Sequence, residues 1–358
     1  MGLAREGAQL GIAGLPPNVI ETILSARAAS TRRRYNAAWQ LFVRWCADKP
    51  GEVLPFQASV CLILTYLQEF LDRGLGLSSV KVNLAAISAY HLGVNNSPVS
   101  EHPLVRQFMK GVLHLRPTAR SLVPPWDLTV VLDALVREPF EPLETVQLKF
   151  LSLKTALLVA LTTAKRASDI HALSVNESCM RFSGNGTRVT VRPNLSFLPK
   201  TFPSGCDPVE LVAFHPPPFA SEEDRRLNCL CPVRALRLYK ARTAPFRLGD
   251  QLFVAWAPQA QRKGKPVTKV RLSQWIVEAI QLAYASRGVE LPAGLRAHST
   301  RGMSASWALA KGVPIGDVCR AASWATPSTF AAYYNLDVAP TNLAHAVLDV
   351  AAHRAPAP

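Results

Sequence analysis

One segment limits the possible folds of this chain more than any other. It is RPTARSLVPPWD, residues 116–127. Three prolines and no apolar period bar it from a helix interior or a central strand. At 358 residues the chain is longer than one core usually serves, since domains run to roughly 100–200 residues. The segment therefore reads as a linker, placed at 117–127, between two folding units. Four helical stretches precede it. STRRRYNAAWQLFVRWCADK places Tyr35, Trp39, Phe42, Val43 and Cys46 at helical spacing behind a cap at Ser30 or Thr31. SVCLILTYLQEFLDRG ends at Gly74, SSVKVNLAAISAYHLG at Gly93, and HPLVRQFMKGVLHLRP before Pro117. Together they predict a helical domain over 17–116, with residues 1–16 as a flexible arm.

Beyond the linker, residues 128–340 predict a second domain that is mostly α with a small β-sheet. LTVVLDALVRE and the long stretch LKFLSLKTALLVALTTAKRASDIHALSV read as helix. Between Cys179 and Lys200 the period changes to two, with Val189 and Val191 alternating with polar residues and Asn185-Gly186 and Asn194 as turns. QLFVAW, at 251–256, is a short strand or a buried segment. The chain is helical again from LSQWIVEAIQLAYASRG onward. Residues 341–358 hold a short amphipathic run with Leu343, Val347, Leu348 and Val350. No internal repeat is present.

Net charge is +15. Thirteen Lys and Arg face seven Asp and Glu up to residue 120, and 27 face 18 beyond it, so both units are basic. Such a surface suits a polyanion, nucleic acid first; a basic soluble protein without such a partner is the plainer alternative. The seven cysteines are dispersed, and Cys229-Leu230-Cys231 lacks a second pair or a His cluster at zinc spacing. This predicts reduced thiols in an intracellular protein, with no metal and no cofactor. No apolar run approaches the ~18 residues of a membrane helix. The first residues carry Arg5 and Glu6 in place of an uninterrupted apolar core, which predicts no secretory signal, and Glu6 weakens a myristoylation reading of Met1-Gly2.

Several polar groups stand in apolar helical surroundings. Arg166, in TTAKRASD, needs an anion or Asp169 as partner. His298 and Arg301 share a face at a helix start, where the dipole favours anions over cations. Arg32, Arg33 and Arg34 crowd the opening of another helix. Lys200 ends the expected hairpin, and Trp324, Tyr333 and Tyr334 lie in SWATPSTFAAYYNLDV. Taken singly, Lys200 and the His298–Arg301 pair read first as solvated surface and the Trp and Tyr rings as core, while Arg166 with Asp169 reads as readily as an ordinary surface pair.

Taken in order, Arg166, Lys200, His298-x-x-Arg301, Trp324 and a Tyr on a domain behind a basic helical module resemble the tyrosine recombinase (integrase) family. TTAKRASDIHALSV resembles that family's first-Arg box, and RAHSTRGMSASWALAKGVPIGDVCRAASWATPSTFAAYYNLDV resembles its second. Within the family, LCPVRALRLY, RAHSTRG, ASWATPSTF and YYNLDV are most similar to recombinases of DIRS-type retrotransposons. The resemblance implies a two-domain architecture: a helical SAM-like core-binding domain followed by a mixed α/β catalytic domain. It implies cutting and rejoining of DNA through a 3′-phosphotyrosyl intermediate, in the service of retroelement integration in the nucleus. Arg166 and Arg301 would hold the phosphate and His298 would bond it. Lys200 would protonate the leaving oxygen, Trp324 would stand where many members carry a second His, and Asp169 would steady a basic neighbour. Arg32, Arg33 and Arg34 would contact DNA. The DIRS-type pattern selects Tyr334 as nucleophile, whereas the common spacing of nine residues beyond Trp324 selects Tyr333. Assembly on DNA as a homo-oligomer, dimer to tetramer, with the 341–358 tail docking in trans, is also implied. Two alternatives carry the same residues: an inactive recombinase-derived DNA-binding protein, and an enzyme like the type IB topoisomerases.

Overall fold

The computed structural model describes residues 2–12, 14–51, 53–95, 97–117, 121–199, 208–256 and 262–339. Lys200 and the 341–358 tail lie outside these. The chain divides into two compact units, 1–120 and 121–358. The division falls inside the proline-rich segment that opened the sequence reading.

Among its described residues the first unit holds six α-helices: α1 (Gly2–Ile12), α2 (Pro17–Ser25), α3 (Ala29–Ala47), α4 (Val60–Asp72), α5 (Leu77–Tyr90) and α6 (Pro103–Leu115). The apolar stripe of α3 turns inward, burying Trp39, Phe42 and Cys46 against Ile63, Tyr66 and Leu67 of α4 and Val80, Leu84 and Ile87 of α5. Phe42 is fully buried and packs tilted against neighbouring rings, 4.9 Å from Tyr66 and 5.7 Å from Trp39 between centroids. Phe42→Ala is expected to destabilise this unit by about 3–5 kcal/mol through the cavity it leaves, measured by urea unfolding. The Ser59 hydroxyl accepts from the Leu62 N–H and starts α4, and Gly74, at φ +78°, ends it.

Two expectations fail here. Within 1–16, expected as a loose arm, Gly2–Ile12 forms α1, which packs on α2, α3 and α5, and both Glu6 oxygens accept from Arg27 Nη1 at 3.0 Å. The run GLAREGAQLGI is too short to hold a helix alone, and these tertiary contacts supply what its length lacks. Nor do Ser30 or Thr31 cap α3. The helix already begins at Ala29 behind Ala28, with no side-chain cap. The Arg32 N–H already bonds the Ala28 carbonyl at 3.0 Å, so the first turn closes earlier than the sequence signal suggests.

The second unit contains α7 (Leu128–Leu135), α8 (Leu148–Thr163), α9 (Ala167–His171), β1 (Met180–Phe182), β2 (Arg188–Val191), β3 (Val209–Val212), α10 (Glu222–Asn228), α11 (Pro232–Thr243), α12 (Lys269–Ser286), α13 (Ser299–Ala310), α14 (Ile315–Ala322) and α15 (Pro327–Tyr333). Helix α8 is buried on nearly every side, which is the pattern of a helix surrounded by others. Residues 151–160 of it are all buried, and α11, α12 and α13 pack around it. The sheet is antiparallel in the order β1-β2-β3, with Val189 opposite both Phe182 and Leu211. Val189 and Val191 point inward, as their alternation predicts, and Gly186, at φ +68°, makes the turn. QLFVAW is a buried segment: Leu252, Phe253 and Val254 are inaccessible, and it forms only isolated bridges at Gln251 and Val254. Trp126 Nε1 donates to Ser299 Oγ at 2.8 Å, tying the start of this unit to α13. Among the described residues no helix is long and apolar enough to cross a membrane.

One charge is buried deep in this unit. Lys154 on α8 is inaccessible and bonds both Glu141 and the Leu135 carbonyl, while Arg234 forks onto Glu141. Burial alone would raise the Glu141 pKa; Lys154 and Arg234 outweigh it and hold the carboxyl below its ordinary value. A depressed carboxylate stabilises the fold above its unfolded pKa of about 4.3, and that stability is lost as pH falls through the lower folded value. Glu141→Gln is expected to destabilise by about 3–5 kcal/mol at neutral pH and to flatten the acid limb of a stability–pH curve.

Candidate active site

The site is assembled at the ends of four helices in the second unit. Helix α13 opens at His298, its N-cap, and carries Arg301 one turn in. Arg301 is completely buried. Its Nη2 donates to the Ala322 carbonyl at the end of α14, at 3.0 Å. The guanidinium carbon lies 5.1 Å from the Trp324 ring and 5.2 Å from the Tyr334 ring. Its Nε and Nη1 have no hydrogen-bond partner, and neither does the buried Nε1 of Trp324. Three donors thus stand desolvated and unused. Burial lowers the Arg301 pKa from its ordinary value; Tyr334 opposes that shift, Arg166 adds to it, and Asp169 opposes it. The arrangement is costly as a closed unit, because buried polar groups are almost always paired.

The two candidate tyrosines separate clearly. Tyr334 follows α15 directly, and its ring lies over Trp324, with centroids 4.5 Å apart. Its hydroxyl is 3.1 Å from His298 Nε2. Tyr333 is 71% exposed. The backbone at Tyr334 is pinned from α13. Ser306 Oγ donates to the Tyr334 carbonyl at 3.2 Å and accepts from the Leu336 N–H at 2.8 Å. A Cβ added to Gly302 would stand 3.1 Å from that same carbonyl oxygen. Gly302 and Ser306, four apart on one face of α13, let the chain after α15 come close. Neither was singled out from the sequence, although their small size at that spacing was the available signal.

Arg166 forms the N-cap of α9 and is half-buried. Asp169 is buried and accepts from the Arg166 backbone N–H at 3.3 Å and from Ser168 Oγ at 3.1 Å. Its carboxylate therefore fixes the turn that carries Arg166. Lys165, also unforeseen, donates to Ser323 Oγ at 2.5 Å. Arg301, Trp324 and Tyr334 are thus in mutual contact, His298 touches Tyr334, and Arg166 and Asp169 are near enough to act on Arg301 electrostatically. Arg32, Arg33 and Arg34 lie in the other unit, in the second turn of α3; Arg33 and Arg34 are exposed and Arg32 is half-buried.

No protein-family model and no curated protein sequence matches the chain. Solved structures do. The integrase of transposon Tn1549, in complex with transposon right end DNA, superimposes with a TM-score of 0.60 at 13% identity, covering 99% of this chain and 100% of that one. XerH site-specific recombinase bound to its difH substrate, a pre-cleavage complex, gives 0.56 at 13% identity over 95% and 84% of the two chains. A lambda integrase dimer bound to a COC′ core site gives 0.54 at 16% identity over 90% and 95%. The chain has the tyrosine recombinase fold: mostly helical, with a small three-stranded antiparallel sheet.

Proposed function

We propose that this chain is a site-specific DNA recombinase or integrase that cuts and rejoins strands through a 3′-phosphotyrosyl intermediate at Tyr334. One observation carries the reading. A fully buried guanidinium whose Nε and Nη1 lack hydrogen-bond partners is enclosed by an indole with its own unused N–H and by a phenol bonded to an imidazole. Such a cation fits an anion that arrives during function, and the donors fit the oxygens of a phosphodiester.

The chemistry follows from this geometry. Tyr334 Oη attacks phosphorus as His298 takes its proton. The bond to the 5′-oxygen breaks, and Lys200, given this role by the family resemblance alone, protonates that oxygen. The 3′-phosphotyrosine conserves the bond energy, so the reverse attack by a 5′-hydroxyl reseals the strand without another energy source. Arg301, Arg166 and the Trp324 N–H stabilise the charge on the non-bridging oxygens. The net charge of +15 and the exposed Arg33 and Arg34 suit the approach of duplex DNA. The DNA complexes named for the similar structures, a lambda integrase dimer and tetramer among them, support DNA as partner and assembly as a homo-oligomer on it. The narrower resemblance of RAHSTRG, ASWATPSTF and YYNLDV supports insertion of a retroelement's DNA copy, with the enzyme acting in the nucleus.

The test begins by selecting bound duplexes from a randomised library. Selected duplexes nicked near the cleavage point should then trap an SDS-resistant, protease-sensitive adduct, with the phosphorylated peptide mapping to Tyr334. Tight duplex binding with no adduct from any nick position would favour an inactive DNA-binding protein. Relaxation of any supercoiled plasmid without sequence preference would favour a topoisomerase.

A further inference from the structure

Two helices of the second unit end in the same unusual way. Ala164 follows α8 at φ +49°, and Ser323 follows α14 at φ +53°. Both are left-handed C-caps filled by residues with a Cβ, in a region that normally selects glycine. Strained backbone of this kind persists where surrounding contacts over-determine it. Each cap also precedes a donor of the proposed phosphate cradle: Arg166 lies two residues after Ala164, and Trp324 one residue after Ser323.

Contacts at the two caps give a reason for their side chains. The Ala164 methyl packs in the small cluster that holds Trp324 and Phe330, with Tyr334 against it. Ser323 offers its hydroxyl to Lys165 Nζ at 2.5 Å, across 158 residues of sequence. Glycine at either place would relax the backbone and lose the contact. The turn at 322–324 thus points three groups in three directions. The Ala322 carbonyl takes Arg301 Nη2, the Ser323 hydroxyl takes Lys165, and the Trp324 indole N–H stays unused.

We propose that Lys165 is a positioning residue whose bond to Ser323 sets the spacing between Arg166 and the Arg301–Trp324 half of the cradle. This rests on the phosphate-transfer reading above. Lys165 acts through the two turns it joins: without the bond, Arg166 and Trp324 sit on corners that shift separately. Misplacement of a charge-stabilising donor by about 1 Å is enough to lower a rate by about 10²-fold.

The experiment uses the full chain and a nicked duplex selected as above. Lys165→Met and Ser323→Gly are each expected to slow single-turnover adduct formation by about 10–100-fold at unchanged duplex affinity. The double variant should be no slower than either single one, because both remove the same bond. Lys165→Arg, which keeps a donor, and Ser323→Asn, which keeps an acceptor and tolerates the left-handed region, should recover most of the rate. Full activity of Ser323→Gly would overturn the proposal, since backbone conformation alone would then explain the serine. Multiplicative losses in the double variant would also overturn it. A second readout does not need strand cleavage: the Trp324 indole ¹⁵N–¹H resonance, assigned by Trp324→Phe, titrated with inorganic phosphate. Lys165→Met should weaken that response by about tenfold, in line with the misplacement above, and an unchanged response would overturn the tether. No adduct from the parent, with Trp324 still answering to Lys165→Met, would instead mark failure of the strand-transfer reading alone.

Discussion

Tyr334→Phe is expected to abolish covalent capture of a nicked duplex, a loss of more than about 10⁴-fold, while duplex binding stays at the parent level. Tyr333→Phe should remain within about threefold of the parent, as surface changes away from a reacting centre usually do. The contrast follows from one oxygen atom. Tyr334 Oη is 3.1 Å from His298 Nε2, within reach of a base, and its ring lies over Trp324 beside the Arg301 guanidinium. Tyr333 is 71% exposed. Loss of the Tyr334 hydroxyl forfeits one hydrogen bond, worth about 1 kcal/mol net, so the fold should survive the change. Single-turnover assays with denaturing gels read the adduct, and filter binding reads affinity. An adduct formed at normal rate by Tyr334→Phe and lost in Tyr333→Phe would reverse the assignment.

The spacing of the two tyrosines along the chain could not decide between them, because both positions agree with some pattern. What favours Tyr334 is that α15 ends at Tyr333, which places the next residue in the turn held by Ser306. Periodicity did read the cores well. Trp39, Phe42 and Cys46 turned inward on α3, and Val189 and Val191 on β2, because a single buried face fixes which residues must be apolar. The polar constellation was legible as a set of residue types in order, with no local signal of contact, since Arg166 and Arg301 are 135 positions apart. Features decided by tertiary packing were not legible. Helix α1 is held by contacts distant in sequence, with α2, α3 and α5 and through the Glu6–Arg27 pair. Strand β3, VELV, was missed because four residues between Pro-rich runs carry too little alternation. The left-handed caps at Ala164 and Ser323 were invisible because their usual marker, glycine, is absent.

Arg301→Met is expected to separate stability from activity. Breaking an ordinary buried ion pair by removing one partner destabilises by about 3–5 kcal/mol. Arg301 is different, because it is fully buried with no acid bonded to it. Its favourable terms are one hydrogen bond to the Ala322 carbonyl and two ring contacts, each about 1–2 kcal/mol when desolvated. Against them stands the desolvation of a cation with Nε and Nη1 unpartnered, several kcal/mol per ion. Methionine fills similar volume, forgoes the hydrogen bond and the ring contacts, and removes the buried charge. Stability should therefore be unchanged or raised by up to about 3 kcal/mol in urea unfolding. Adduct formation should fall by about 10²–10³-fold or more, because a fixed donor to the transition state is lost. Linkage gives a second check: inorganic phosphate should raise the Tm of the parent, by binding only its folded state, and leave the variant unmoved. A loss of more than about 3 kcal/mol on substitution would make Arg301 a structural residue, and the unused N–H groups would then need another explanation.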